Sequence, residues 1–260
     1  MNIVERARSF ASRTDEYLQE IEYRVAIDKH DLDEIFRLRY RAYLYEESIL
    51  PNKTGLFTDD YDDMDNCRIY GLWGEDNLLS SVRLHILSKT QFRGPALDVF
   101  PDIVGPMIER GALLIDPTRL VVDREAARRY RYLPHMTVRI ACMASEHFAA
   151  EYCLATVRAE HMAFYRRLFS FEQICEPRPY PTLTKPICLM VGDMAKIRDR
   201  VAARYPLFTS TRAEREMLFD WPAFNQAALR PQPAGAEPGE ASPRVSDPTR
   251  ASAGEAKALN

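Results

Sequence analysis

The chain has 260 residues, long enough for one large domain or two small ones around a substantial core. Hydrophobic residues make up 46% and charged residues 28%, an ordinary globular profile, and the net charge of -3 argues against a nucleic-acid surface. Five cysteines without CxxC spacing point to reduced thiols, and ten glycines with no GxG pair exclude a dinucleotide fingerprint, a P-loop and a GxSxG elbow.

In chain order, residues 1–20 read as an N-terminal helical extension whose start, "MNIVERARSF", lacks the apolar segment of a signal peptide. "IEYRVAID" alternates and is a first strand. "DLDEIFRLRYRAYLYEE" is a helix, with Asp31 and Glu34 as a capping pair and Ile35, Leu38, Ala42 and Tyr43 on one face. An aspartate-rich loop, "GLFTDDYDDMD", follows. "CRIYGLWG" and "LLSSVRLHIL", turned at Glu75-Asp76-Asn77, form an antiparallel hairpin. "ALDVFPDIV" is helical and "ALLIDPTRLVVD" a strand. "YLPHMTVRIACMASEHFAAEY" is a long buried helix, "CLATVR" a strand and "AEHMAFYRRLF" a helix. "FEQICE" and "PICLMVGD" are the closing strands, with outer helices at about 193–205 and 211–229. Residues 230–260, rich in Pro, Ala, Gly and Ser, form a disordered tail.

This order gives a mixed α/β protein, antiparallel in its first half and βα-alternating in its second. The expected organisation is a main domain over residues 21–193, C-terminal helices over 194–229, then the tail. No run approaches the roughly 20 apolar residues of a membrane span, so the expected location is cytoplasmic.

Charged residues inside strands carry the first chemical signal. Arg83 lies within "SVRL", and Asp116 and Arg119 lie within "DPTRLVVD". A buried arginine needs a carboxylate partner, and Asp59 and Asp62 of the loop are the natural supply. Bidentate pairing would fix the loop over the strand ends.

The ordered set Arg39 and Tyr43 on the helix, Asp59 and Asp62 in the loop, Arg83, then Asp116 and Arg119 resembles two related groups. These are the N-acyl amino acid synthases of the FeeM type and the LuxI-type autoinducer synthases, both acyltransferases on a GNAT-like fold. The resemblance spans about residues 22–193, and "FYRRLFSFEQI" looks like the FYxxxGF segment with Ser170 in the glycine's place. The "EPRPY" loop favours the amino acid synthase branch. The lactone synthases usually carry a Trp after the first helix, and "YEESILPNKTG" has none.

The resemblance implies transfer of a long-chain fatty acyl group from an acyl carrier protein thioester to the amine of an amino acid. The alternatives are an acyl-homoserine-lactone-type synthase and a non-catalytic acyl- or carrier-binding module. Asp116, standing where the family mostly has Glu, and Arg119 are the candidate catalytic residues. Arg39, Tyr43, Asp59, Asp62 and Arg83 are the candidate substrate-binding set, with Arg39 or Arg119 gripping an acceptor carboxylate. No metal and no permanently bound cofactor is expected. The place of the pyrophosphate loop holds "REAARRYRYLPHMTVR", without glycine, which disfavours acyl-CoA and favours acyl-phosphopantetheine on a carrier. Arg124, Arg128, Arg129 and Arg131 would face the acidic carrier, and His135 would stand where the pantetheine passes. The helix "MTVRIACMASEHF" is either an acyl tunnel wall or plain core. The remaining histidines, His30, His85, His147 and His161, show no metal spacing and read as structural or surface groups.

Overall fold

The computed structural model describes residue 14 and residues 16–220. The expected disordered tail, most of the N-terminal extension and the end of the last helix lie outside the described residues.

A seven-stranded sheet runs in the order β1-β2-β3-β4-β5-β7-β6. The strands are β1 (Glu22–Val25), β2 (Cys67–Gly74), β3 (Asn77–Leu87), β4 (Leu114–Val122), β5 (Tyr152–Val157), β6 (Glu172–Gln173) and β7 (Cys188–Asp193). All neighbours are antiparallel except β4 and β5. The arrangement is mixed α/β and mostly antiparallel, as the order of elements predicts. β2 and β3 turn on Glu75 and Asp76, both at positive φ, the geometry that matches the twist of a tight hairpin.

Helices cover both faces. One face carries α1 (Lys29–Tyr45), α2 (Pro95–Val99) and α3 (Pro101–Glu109). The other carries α5 (Leu133–His147), α6 (Met162–Phe169), α7 (Met194–Arg204) and α8 (Arg212–Phe219). The short α4 (Arg124–Arg129) follows β4 directly. The larger core lies under α5, where Met136, Ile140 and Met143 are fully buried against Val82 and Ile115. Among the described residues no helix is long and apolar enough to cross a membrane. All five cysteines are free.

Three expectations are corrected. α1 is capped by Asp28, whose carboxylate accepts from Asp31 N–H, rather than by an Asp31–Glu34 pair. Within "FEQICE" the regular strand covers only Glu172–Gln173; Ile174 N–H still donates to Leu189 O at 3.0 Å, and after Pro177 the pairing resumes as one isolated bridge, Arg178 with Ile187. The long helix stops at His147, and Ala149, at φ 51, turns the chain into β5.

Ser170 terminates α6 in the left-handed conformation, with φ 58 and ψ 34. That conformation is why a glycine is the ordinary residue there.

Candidate active site

β4 and β5 pair at only two positions, Leu114 with Tyr152 and Ile115 with Cys153. Beyond them β4 stays bonded to β3 and β5 to β7, so the sheet forks between its two central strands. Asp116 is the first β4 residue past the last pair and sits at the apex of this fork.

The α1 face of the fork holds a closed charge network. Arg39 Nη1 donates to Asp62 Oδ1 at 2.7 Å. Arg83 Nη1 donates to both Asp59 Oδ1 and Asp62 Oδ1, the latter at 2.9 Å, and Arg83 Nε donates to Thr118 Oγ1 at 2.9 Å. Arg119 Nη2 donates to Asp59 Oδ2 at 2.5 Å and to Thr182 Oγ1 at 3.1 Å. Arg39 and Arg83 are fully buried and Arg119 is only 6% exposed. The two guanidiniums beside Asp59 hold its carboxyl at about 2 against the burial that would raise it. Asp62 is lowered in the same way by Arg39 and Arg83. The aspartate loop is thus half of a buried ion network, as the strand arginines require.

Arg119 reaches this network through a β-bulge. Arg83 pairs with Thr118 and Ser81 with Val121, which leaves an extra residue on β4, and Arg119 takes a φ of 54 there. The bulge puts Thr118 and Arg119 on the same face despite their adjacency. Phe57, Tyr43 and Tyr180 surround the guanidinium, with Phe57 nearest at 4.2 Å. Tyr61, the aromatic among the aspartates, is pinned by its hydroxyl donating to Asp98 Oδ2 at 2.6 Å and its N–H to Asp59 Oδ1 at 3.2 Å.

Three guanidiniums face two carboxylates, so the network carries one excess positive charge. Arg39 Nε and Nη2 are buried without a hydrogen-bond partner. Arg39 is enclosed by the loop, so its expected grip on an acceptor carboxylate is not available in this closed arrangement.

Asp116 is fully buried, accepts from Ala96 N–H through Oδ2 at 3.0 Å, and has no partner at Oδ1. Burial pushes its carboxyl up to about 6. His85, which reads from the sequence as a structural or surface histidine, is fully buried and is the direct cross-strand partner of Asp116. His85 Nε2 lies 3.1 Å from Tyr61 O. A carbonyl only accepts, so Nε2 carries the proton and Nδ1 is a bare acceptor, which has no partner. Burial lowers His85 to about 3, leaving the imidazole neutral. The available signal was the alternation in "VRLHIL", which puts His85 on the Arg83 face.

On the opposite face the fork opens into an apolar cavity of about 240 Å³. Pro117 of β4 and Cys153 of β5 line it, as do Val138, Ala141 and Cys142 of α5, the methionine-bearing helix. The cavity and the charge network therefore meet across the unpaired stretch of β4 and β5.

The arginines expected at a carrier surface are exposed, and three have internal partners. Arg128 pairs with Glu125 at 2.8 Å, Arg129 with Glu75 at 3.3 Å, and Arg124 lies 3.7 Å over the Tyr45 ring. Arg131 is exposed. His135 packs edge-on between Tyr132 and Phe164, and burial lowers its pKa. At the start of α4, Asp123 Oδ1 accepts from the N–H groups of Glu125 and Ala126. A carboxylate already occupies the donors that a pyrophosphate would need there.

A family model described as N-acyl amino acid synthase FeeM matches residues 34–193. Among solved structures, FeeM, an N-acyl amino acid synthase from uncultured soil microbes, superposes with a TM-score of 0.57 at 13% identity, covering 72% of this chain and 96% of that one. The AHL synthase LasI gives 0.57 at 12% identity, covering 74% and 98%. BjaI, a CoA-dependent acyl-homoserine lactone synthase, gives 0.55 at 15% identity, covering 81% and 99%. No curated protein matches the sequence.

Proposed function

The chain belongs to the FeeM family of N-acyl amino acid synthases and is an N-acyltransferase, and from that premise we propose that it acylates the amine of an amino acid with a fatty acyl group carried on acyl carrier protein. The observation that carries this reading is the fork: an apolar cavity on one side, a cationic network on the other, and Asp116 at the junction.

An amino acid acceptor is a zwitterion, and the α1 face is complementary to one. The excess positive charge and the unpartnered Nε and Nη2 of Arg39 lack a carboxylate. Asp116 Oδ1 and His85 Nδ1 are bare acceptors that lack a donor, and an ammonium supplies N–H groups. Because Arg39 is fully buried, its contact with the carboxylate requires the loop of Asp59 and Asp62 to open, with Arg119 and Tyr43 framing the entry. The acyl chain lies in the cavity, which places the thioester carbonyl in the fork.

The reaction follows from those positions. Asp116, ionised at neutral pH yet basic enough to accept a proton, takes one from the ammonium. The free amine attacks the thioester carbon, and main-chain N–H groups on the unpaired strand edges hold the oxyanion. The C–N bond forms as the C–S bond breaks. The second amine proton leaves with the pantetheine thiolate, giving the thiol. Holding both reactants across one fork supplies the proximity term. No covalent enzyme intermediate is required.

The carboxylate cap on α4 supports a carrier-borne pantetheine over acyl-CoA, with Arg124, Arg128, Arg129 and Arg131 toward the carrier and His135 along the arm. The test is product analysis. The protein is incubated with acyl carrier proteins loaded with six- to sixteen-carbon chains and the twenty amino acids, followed by mass spectrometry. One dominant N-acyl amino acid is expected. An intact loaded carrier, with no amide formed from any chain, overturns the reading.

A further inference from the structure

The family match ends at residue 193, yet nearly half of the cavity lining comes after it. α7 contributes Met194, Ile197, Val201 and Ala202, and the turn after it contributes Phe208. This wall is fixed rather than draped. Arg139 of α5, itself buried, donates through Nε to Leu207 O at 2.7 Å and through Nη2 to Thr209 O at 2.9 Å and Glu214 Oε1 at 2.8 Å. Phe208 stacks edge-on against Phe169 at 5.1 Å between ring centroids. The apolar lining then gives way to a polar rim of Glu146, Arg198, Asp199 and Ser210.

We propose that the segment Met194–Ser210, outside the part shared with the family, is the ruler that sets acyl chain length, and that it selects medium chains of about ten carbons. The proposal rests on the acyl reading of the cavity given above. An apolar cavity of roughly 150 Å³ holds a six-carbon benzene ring, so about 240 Å³ holds about ten carbons. Each methylene inside the apolar section raises transfer efficiency about fourfold, the ratio expected for burying one CH₂. A longer chain meets the charged rim and gains nothing. The proposal thereby replaces the long-chain donor implied by the family resemblance with a medium-chain one, on the strength of residues that the resemblance does not cover.

The experiment measures kcat/KM along a carrier-bound acyl series from six to sixteen carbons for the wild type, Phe208→Ala and Ala202→Phe. Ala202 is only half-buried at the rim, so its replacement adds bulk without emptying the core. The wild-type profile should rise about fourfold per methylene to an optimum near ten carbons. Phe208→Ala should move the optimum up by at least two carbons and Ala202→Phe down by at least two, with the acceptor amino acid unchanged. A wild-type optimum at sixteen carbons, or an optimum that neither variant moves while amide still forms, overturns the ruler and leaves the acyltransfer reading intact. Displacement of a fluorescent lipid probe by free six- to sixteen-carbon fatty acids gives a second readout. If no amide forms but both variants shift that binding series, the reaction assignment fails and the ruler stands. If neither series shifts, the ruler fails as well.

Discussion

Replacing Asp116 with asparagine should stabilise the protein and disable it together. The carboxyl sits at about 6 instead of 3.8 because burial disfavours its charged form. Its folded-state pKa is raised, so the cost of ionising it is absent below pH 3.8, grows as the pH rises through 6 and is complete above that. At 1.36 kcal/mol per unit this cost is about 3 kcal/mol at pH 7.5. The substituted side chain would keep an oxygen for the Ala96 N–H but put an amide NH₂ where Oδ1 now has no partner, which takes back about 1 kcal/mol. The net gain of about 2 kcal/mol corresponds to a Tm rise of about 4–8 °C for a chain of this size. At pH 4 the gain should vanish. Loss of the base should lower kcat by about 10²–10⁴-fold. Thermal melts at the two pH values, paired with amide formation at pH 7.5, decide it. An equal gain at both pH values, or activity within roughly threefold of wild type, would refute the buried-base argument.

Arg83→Met removes the guanidinium shared by Asp59, Asp62 and Thr118, and chemical denaturation should show a loss of about 3–5 kcal/mol. A loss under about 1 kcal/mol would mean the network is solvated. Changing Arg124, Arg128 and Arg129 together to Glu should raise KM for the loaded carrier at least about tenfold at low salt, less at high salt, with activity on a free acyl-pantetheine unchanged. Equal effects on both donors would remove the docking role. Ser170→Gly should stabilise by about 0.5–1 kcal/mol, because serine pays a steric cost in the left-handed conformation that glycine does not; a neutral or negative effect would show that the Ser170 side chain compensates.

Much of the fold was legible because each long element carries its own periodicity. The hairpin and the long buried helix needed only alternation or a helical stripe. The network was legible for an electrostatic reason: strand arginines demand carboxylates, and one loop held enough of them. Arg119 was legible as a partner of Asp59, but its route was not, because a bulge at a non-glycine residue leaves no mark in the sequence. The pairing of His85 with Asp116 was not legible, because register between distant strands is set by tertiary packing. The cavity wall was invisible for the same kind of reason, since α7 looks like any amphipathic outer helix until α5 is placed beside it.

Arg139 also bears on how the chain is made. Its three acceptors lie 68, 70 and 75 residues further along the chain. At about 5–20 residues per second, a ribosome delivers the last of them roughly 4–15 s after the arginine itself. During that interval α5 holds a cation facing the ground its own partners will later cover. Arg139 cannot complete its hydrogen bonds until residues 207–214, nearly the end of the described chain, have been synthesised. A stop before residue 207 would leave Arg139 without any of these three acceptors, on a helix whose apolar face still has β3 and β4 to pack against.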